Sequence, residues 1–290
     1  MALWDRGGRV RRLHWLGQLH AYAGEVVGTF LLVLFGTGAV ASAVLTGALV
    51  GLWQVAAVWG FGVTLAIYVS ASASGAHLNP AVSLSMALFR RDEFPPRRLL
   101  PYWGSQLAGG ILAGAVVLAV FGPFIDRFEQ ERGIERGEAG SQHSAMVFGE
   151  YFPNPDMFGT DEAARDLVSP LLAVSTEALG TGILVLVIFA LTDRRSGARP
   201  GALTPFFIGF TVAALISLFA PVTQAGWNPA RDLGPRLVAL AAGWGEIAIP
   251  GPRNGFWVYI AGPLVGGPIG AAVYDYIVRP GAEGDSEPGE

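Results

Sequence analysis

Two copies of an Asn-Pro-Ala stretch contain the residues of this chain that are best suited to binding a solute. They read Asn79-Pro80-Ala81 and Asn228-Pro229-Ala230, and each copy follows one apolar run and opens another. An Asn in front of a Pro at the first helical position is a strong helix-start signal. Each Asn carries amide donors, and each helix start adds unpaired N–H groups and a positive dipole end. If the two starts meet, they can bind a neutral polar solute and repel cations and protons.

Two carboxylates, Glu25 and Glu177, lie inside apolar runs, where an ionisable group is costly and indicates a function. One interpretation is a proton- or cation-coupling site of a secondary transporter. The other is structural, because each carboxylate could accept N–H bonds from the loop before an Asn-Pro-Ala stretch and hold that loop open. Their equivalent placement, one in each half of the chain, favours the structural role.

Arg231 directly follows the second Asn-Pro-Ala stretch, and its fixed donors suit a polar solute at a constriction. The alternative is an arginine that pairs with a lipid headgroup or with Asp232. The loops before the two Asn residues leave backbone carbonyls unpaired, which at membrane depth is tolerated only against protein or a water-filled cavity. We therefore expect a ladder of pore-lining acceptors, formed by the carbonyls of Gly75, Ala76, His77, Gln224, Ala225 and Gly226.

The composition is that of a membrane protein. Of 290 residues, 52% are hydrophobic and only 14% are charged, whereas a soluble domain carries about 25% charged residues. The chain has no cysteine, which excludes a disulfide framework, a zinc–thiolate site and a cysteine nucleophile. No nucleophile–base motif, phosphate loop or metal cluster stands out. We expect no enzyme activity, no cofactor, no bound metal and no nucleic-acid partner.

The apolar runs predict an all-α membrane protein with six transmembrane helices and two re-entrant half-helices. A helix needs about 20 residues to cross a bilayer. Two runs, near 79–89 and 228–240, are too short for this and begin at the Asn-Pro-Ala stretches; interfacial or surface helices are the alternative. The runs that are long enough lie near 20–44, 50–71, 98–122, 169–192, 202–220 and 254–278.

The two halves of the chain resemble each other beyond the Asn-Pro-Ala stretch. Glu25 is followed by Gly28-Thr29 and lies 54 residues before Asn79, while Glu177 is followed by Gly180-Thr181 and lies 51 residues before Asn228. Three spans and a half-helix are thus used twice. Because three is odd, the second copy enters the membrane from the opposite side. Such an inverted repeat with broken helices at matching positions indicates a solute pathway near the midplane.

The connections predict the orientation and the domain organisation. The N-terminus and the 90–98 and 193–199 connections are rich in arginine, which places both termini in the cytoplasm. The long connection near 123–168 is then extracellular, and either packs over the outer mouth or is partly disordered. We expect a cytoplasmic flank at 1–19, a channel domain at 20–278 with repeats at about 20–122 and 169–278, and a disordered acidic tail at 279–290.

The paired Asn-Pro-Ala stretches, the six spans and the Glu-x-x-Gly-Thr motifs resemble the aquaporin superfamily of major intrinsic proteins. The Asp232 after Arg231 is similar to the aquaglyceroporin branch and its bacterial glycerol facilitators, and the similarity continues through Gly234-Pro235-Arg236. The resemblance implies a homotetramer with one pore per subunit. It also implies a multi-pass protein of the plasma or inner membrane, with the lipid bilayer and small neutral solutes as its partners.

By the same resemblance, a selectivity filter consists of Trp59, Ile216, Ala225 and Arg231. Trp59 matches the glycerol facilitators, but Ile216 stands where they have Gly and Ala225 where they have Phe. The combination is similar to the plant nodulin-26-like group. Tyr259-Ile260 also replaces the Pro-Leu pair that is common in glycerol channels.

The sequence therefore predicts a passive channel for glycerol, other small uncharged solutes and water that excludes protons and ions. Asn79 and Asn228 form the pore centre, and Glu25 and Glu177 support the loops. The alternatives are a water-selective aquaporin, a channel that prefers urea or small metalloid hydroxides, an ion-coupled secondary transporter, and a membrane structural or adhesion protein with a blocked pore.

Overall fold

The computed structural model describes the backbone of residues 5–279 and the side chains of residues 17–279. This part of the chain is helical and contains no strand. The helices, in chain order, are α1 (Asp5–Thr46), α2 (Leu52–Ser74), α3 (Pro80–Phe89), α4 (Leu99–Arg132), α5 (Gln142–Ala145), α6 (Pro155–Phe158), α7 (Glu162–Leu167), α8 (Pro170–Thr192), α9 (Thr204–Thr223), α10 (Pro229–Ala239), α11 (Gly245–Ala248) and α12 (Val258–Val273).

Six segments of the described chain are long and apolar enough to cross a membrane. They are Gly17–Thr46, Leu52–Ser74, Pro96–Arg132, Pro170–Thr192, Gly201–Thr223 and Pro252–Val278. This confirms the prediction of an all-α membrane protein with six spans. The last segment joins a 3₁₀ turn, α12 and a π-helical turn.

The two short apolar helices begin where the Asn-Pro-Ala stretches predict. Helix α3 has 10 residues and α10 has 11, so at about 1.5 Å per residue each covers roughly half of a hydrocarbon core that is about 30 Å thick. Asn79 and Asn228 cap them by accepting hydrogen bonds from the N–H groups of Ala81 and Ala230. The lengths fit a pair of re-entrant half-helices.

The structure and the predicted boundaries differ at both ends of the first half. Helix α1 begins at Asp5, within the predicted flank at 1–19, and residues 1–4 lie outside the described part. Helix α4 continues to Arg132, past the end of its apolar run near 122, and terminates at Gly133 with a φ of 62°. Hydropathy marks where a helix leaves the apolar layer, not where it ends. In the predicted tail only Arg279 is described, and residues 280–290 lie outside the described part.

The connection between α4 and α8 folds back onto the helices. Phe148 is fully buried and packs against Trp244 with ring centroids 5.2 Å apart. Ser144 donates a hydrogen bond to Glu129 of α4 at 2.6 Å and accepts one from the Trp244 indole at 3.0 Å. Within residues 133–168, the segment near these side chains is therefore packed against the body of the protein.

Glycines allow the spans to approach closely. Helices α2 and α9 cross at Gly60 and Gly209, where a Cβ on Gly60 would lie 2.7 Å from the Gly209 carbonyl oxygen. A Cβ on Gly109 of α4 would lie 2.9 Å from the backbone nitrogen of Phe30 in α1. A Cβ on Gly262 of α12 would likewise lie 2.6 Å from the Cβ of Glu177 in α8. Helices in lipid have no hydrophobic driving force for association, so they associate through close van der Waals packing. Small residues at the crossings permit that close packing.

Candidate solute pore

The two Asn-Pro-Ala stretches meet inside the protein and are hydrogen-bonded to each other. The Asn79 amide nitrogen donates to the Trp227 carbonyl at 2.9 Å, and the Asn228 amide nitrogen donates to the Leu78 carbonyl at 2.7 Å. Each Asn thus bonds the residue that precedes the other Asn. An amide NH₂ has two donor hydrogens, so one N–H on each side chain remains for a further acceptor. Both residues line a cavity of about 470 Å³.

The two buried carboxylates hold the loops that lead into the half-helices. Glu25 accepts hydrogen bonds from the N–H groups of His77 at 2.9 Å and Leu78 at 2.8 Å. Glu177 accepts them from Gly226 at 3.0 Å and Trp227 at 2.6 Å. Each carboxylate therefore uses both oxygens on the loop of its own half. A carboxylate that accepts two backbone donors stabilises a loop which would otherwise leave those groups unpaired at membrane depth.

Both loops contain non-glycine residues with a left-handed backbone conformation. Ala76 and Leu78 have φ values of 52° and 51° in the first loop, and Ala225 and Trp227 have 67° and 46° in the second. Such strained backbone persists where the surroundings hold it, here the glutamate contacts. The predicted acceptor residues lie outside helices, so their carbonyls lack an intrahelical partner. Five of them line the 470 Å³ cavity (Gly75, Ala76, His77, Ala225 and Gly226), whereas Gln224 lines the outer cavity described below.

The glycines of the two Glu-x-x-Gly-Thr motifs, Gly28 and Gly180, have a role that was not predicted from the sequence. A Cβ on Gly28 would collide with the Leu78 side chain, and a Cβ on Gly180 would collide with the Trp227 indole. The glycine, one helical turn beyond the glutamate, therefore provides the space for the side chain in front of each Asn. The three-residue spacing from Glu to Gly, repeated in both halves, was the available signal.

Three of the four predicted filter residues form a boundary between two cavities. Trp59, Ile216 and Arg231 line both the inner cavity of about 470 Å³ and an outer cavity of about 200 Å³. Ala225 lines the inner cavity only. All four residues are at most 5% exposed. The structure thus places three of the predicted filter residues between the two cavities and Ala225 on the wall of the inner one.

The Arg231 guanidinium is fixed from two sides. Its Cζ lies 4.3 Å from the centroid of the Trp59 ring, and its Nη1 forms an ion pair with the buried carboxylate of Glu150. A buried cation needs such a partner, because its desolvation is otherwise costly. Gly36 of α1 leaves room for the Trp59 ring, with which any Cβ at that position would collide.

Glu150 is held in place by a buried ion pair at the start of α10. Asp232 accepts hydrogen bonds from Arg236 Nε at 2.9 Å and from the Glu150 N–H at 2.7 Å. Arg236 Nη2 donates to the Glu150 carbonyl at 2.5 Å. From the sequence, Asp232 was considered as an ion-pair partner of Arg231 alone, and neither Glu150 nor Arg236 was predicted to hold the filter. The four-residue spacing from Asp232 to Arg236 on one helix was a signal, whereas Glu150 had none.

Tyr151 and Gln224 attach the same connection to the second pore loop. The Tyr151 N–H donates to Gln224 Oε1 at 2.8 Å, and its hydroxyl donates to the Ile247 carbonyl at 2.9 Å. Burial raises the pKa of Tyr151 to about 12, so the hydroxyl stays a donor at neutral pH. The connection near 123–168 thus contributes directly to the outer wall of the pore.

His77 does not lie in a metal site. Its Nδ1 is 3.1 Å from the Ser83 hydroxyl, and its ring packs against Phe94 at a centroid distance of 4.5 Å. Within residues 17–279, no group of three or more His, Cys, Asp or Glu side chains could hold a metal ion.

Comparison with known proteins decides the family. The sequence matches the family described as "Major intrinsic protein" over residues 12–274. The chain belongs to the major intrinsic protein family. This membership confirms the resemblance stated for the sequence, and it supports a membrane channel instead of an enzyme.

Three relatives of this major intrinsic protein are named as uptake facilitators. It is 41% identical over 256 residues to a glycerol uptake facilitator protein of Pseudomonas aeruginosa, with 88% of this chain and 87% of that protein covered. It is 39% identical to the Escherichia coli K12 glycerol uptake facilitator protein, with 88% and 86% covered, and 38% identical to the Citrobacter freundii propanediol uptake facilitator, with 88% and 90% covered.

Among solved structures, the chain resembles the aquaglyceroporin from Plasmodium falciparum. The TM-score is 0.77 at 28% sequence identity, and the match covers 92% of this chain and 99% of that one. The fold class predicted from the apolar runs is thereby confirmed.

Proposed function

We propose that this protein is a passive transmembrane channel for glycerol, other small uncharged solutes and water, and that it excludes protons and ions. The observation that carries the proposal is the junction of the two half-helices, where Asn79 and Asn228 each bond the opposite loop and both line the cavity of about 470 Å³. The glycerol uptake facilitators at about 40% identity support glycerol as the solute.

The lining of the path explains how a polyol would pass. At the filter, Trp59 and Ile216 supply an apolar wall for the carbon backbone, and Arg231 supplies donors for the hydroxyls. Farther in, the loop carbonyls accept from those hydroxyls, and the second N–H of Asn79 and of Asn228 donates to them. Desolvation is offset stepwise, so that no single position binds the solute tightly, as conduction requires.

The two buried carboxylates support passive transport over ion coupling. Both oxygens of Glu25 and of Glu177 already accept backbone N–H groups. A coupling carboxylate must exchange its proton or cation during each cycle, which here would release a loop. The positive ends of α3 and α10, together with Arg231, would exclude protons and cations.

Proteoliposomes test the proposal directly. Glycerol permeability by stopped-flow light scattering should exceed that of protein-free vesicles at least tenfold, the ratio that a barrier lower by about 1.4 kcal/mol produces. Uptake should persist without any ion gradient. Glycerol flux equal to that of protein-free vesicles, with water flux intact, would contradict the polyol channel. Uptake that needs a gradient would identify a coupled transporter.

A short diol is a second candidate solute. The propanediol uptake facilitator of Citrobacter freundii is 38% identical to this chain. Ile216 adds an apolar surface to the filter, which suits a solute with a methyl group in place of one hydroxymethyl group of glycerol. If propanediol is the preferred solute, its permeability in the same vesicles should exceed that of glycerol.

We further propose that both termini are cytoplasmic, that the protein resides in the plasma or inner membrane, and that it forms a homotetramer. Arg90, in the basic connection after α3, pairs bidentately with Asp275 at 2.6 and 2.7 Å. Arg279 lies 3.2 Å from Asp193, in the connection after α8. These contacts gather two arginine-rich connections and the end of the last span at one face, which supports the orientation. The tetramer rests on the family resemblance.

A further inference from the structure

Two buried polar groups beside the filter have no hydrogen-bond partner among the described residues. They are the second carboxylate oxygen of Glu150, Oε2, and the hydroxyl of Tyr259. Glu150 is 2% and Tyr259 is 1% exposed. Buried polar groups are nearly always paired, with protein or with ordered water. Two such groups in one place therefore require a common explanation.

Glu150 and Tyr259 line the same small cavity. Its volume is about 30 Å³, and Arg236 and Phe152 contribute to its wall. A cavity holds a water molecule when it offers about 10–15 Å³ to a water-sized probe and has polar partners. This cavity meets both conditions. It lies behind the filter and is distinct from the outer cavity of about 200 Å³, which Glu150 also lines.

We propose that Glu150 and Tyr259 hold one water molecule between them and so position Arg231, which makes this pair a determinant of the selectivity between polyols and water. The Tyr259 hydroxyl donates to the water, and the water donates to Glu150 Oε2. Glu150 Oε1 stays on Arg231. The inference rests on the proposed channel function and adds two positioning residues to the filter.

The backbone around Glu150 explains why the water is needed. The Glu150 N–H and carbonyl are both held, by Asp232 and Arg236 respectively, so the peptide cannot shift to improve the contacts of its side chain. Without a donor for Oε2, the carboxylate can rotate about its side-chain bonds and release Arg231. With a donor, both oxygens are occupied and the guanidinium is held between Glu150 and the Trp59 ring.

Tyr259 is also in contact with the pore loop. A Cβ on Gly226 would lie 2.7 Å from the Tyr259 ring, so the aromatic ring packs directly behind the second loop, and the residue also lines the small cavity. The residue thus joins the loop and the filter arginine.

The titratable and charged side chains that share or adjoin this cavity are Glu150, Tyr151, Arg165, Arg236, Arg253 and, next to Arg236, Asp232.

Polyols and water should respond differently to the loss of this arrangement. A polyol must place two adjacent hydroxyls on donors at fixed positions while its carbons contact Trp59 and Ile216. A water molecule can reorient to meet a displaced donor. Loosening Arg231 therefore lowers glycerol permeability more than water permeability, whereas a general structural defect lowers both together.

The test uses Tyr259→Phe, Glu150→Gln and the double variant in proteoliposomes, with glycerol and water permeability measured on each. We expect each single variant to lower the glycerol-to-water ratio about tenfold, the size of one lost hydrogen bond to a charged group. The double variant should be no worse than the more affected single variant, because Tyr259 acts on Arg231 only through the water and Glu150. Tyr68→Phe is the matched control: Tyr68 is exposed, donates to the Ala202 carbonyl at 2.7 Å, and should leave the ratio unchanged.

Unchanged ratios in both single variants, or fully additive losses in the double variant, would overturn the inference. If a variant does not fold, a high-resolution structure of the unaltered protein decides. Solvent density within hydrogen-bond distance of both Glu150 Oε2 and the Tyr259 hydroxyl supports the proposal, and a direct contact or an empty cavity overturns it. Failure of the channel function itself is distinguishable, because the unaltered protein would then show no glycerol flux.

Discussion

At the scale of single residues, the pore depends on how a few side chains are held. Arg231 follows the second Asn-Pro-Ala stretch in the sequence, but its position comes from Trp59 and Glu150. Asn79 and Asn228 each donate one amide hydrogen to a backbone carbonyl of the opposite loop. The second amide hydrogen of each side chain remains available to a solute. The same side chains therefore join the two halves and, in the proposed channel, present donors to a solute.

Variants at Ala225 test whether the side chains at positions 216 and 225 share the space of one filter. Ala225→Phe adds an aromatic ring next to Trp59 and Ile216, and overpacking of this kind costs about 1–3 kcal/mol. We expect glycerol permeability to fall about tenfold or more. The double variant Ile216→Gly/Ala225→Phe restores the space and should recover glycerol permeability. A double variant as impaired as Ala225→Phe would show that these positions do not share one lumen. Stopped-flow measurements on proteoliposomes with equal protein content provide the comparison.

At the scale of helices, glycines set how closely the spans approach. Gly60 and Gly209 lie at the crossing of α2 and α9, where a Cβ on Gly60 would be 2.7 Å from the Gly209 carbonyl oxygen. Because that atom belongs to the backbone, it cannot move aside without moving a helix. Trp59 and Ile216 belong to the same two helices, so we expect the crossing to affect the width of the proposed filter as well.

Replacement of Gly60 by Ala should therefore destabilise the protein. We expect a loss of about 1–3 kcal/mol, seen as a lower melting temperature in detergent. Gly104→Ala in α4 is the control, since a Cβ at Gly104 meets nothing within 4 Å and a helical Gly-to-Ala change there should be neutral or slightly stabilising. Equal melting temperatures for the two variants would contradict the role of the crossing.

At the scale of the whole molecule, a cluster of charges joins the two repeats at one face. Arg90 belongs to the first repeat and pairs with Asp275 of the last span, while Arg279 pairs with Asp193 after α8. Burial by itself raises the pKa of Asp193. Hydrogen bonds from the Arg195 N–H and the Tyr274 hydroxyl and the charges of Arg279 and Arg90 outweigh that effect and lower it.

The pH dependence of this cluster follows from the lowered pKa of Asp193. A carboxyl group whose pKa is lower in the folded state stabilises the fold above its unfolded pKa of about 3.9, and this contribution disappears as the pH falls through the folded value. Asp193→Asn should lower the melting temperature at pH 7, and its difference from the unaltered protein should shrink below about pH 4. A difference that does not change between pH 7 and pH 3 would contradict the ionised role of Asp193.

Much of the architecture was predictable because it is encoded locally. The length of an apolar run can be compared directly with the thickness of the bilayer, and an Asn before a Pro caps the helix that it begins. The predicted half-helix starts near 79 and 228 therefore agree with α3 and α10, which begin at Pro80 and Pro229. The end of α4 was not predictable in this way, because its last turns carry charges such as Asp126 and Glu131 outside the apolar layer.

By itself, the sequence determined the six spans, the inverted repeat and the family, since each depends on residue types at short or repeated spacings. Only the tertiary structure decided that Glu150 reaches the filter, that Asp232 and Arg236 hold it there, and that Tyr259 shares its cavity. Glu150 and Asp232 are 82 residues apart. The connection that contains Glu150 has no periodic pattern, so only packing of the whole chain could place it at the pore.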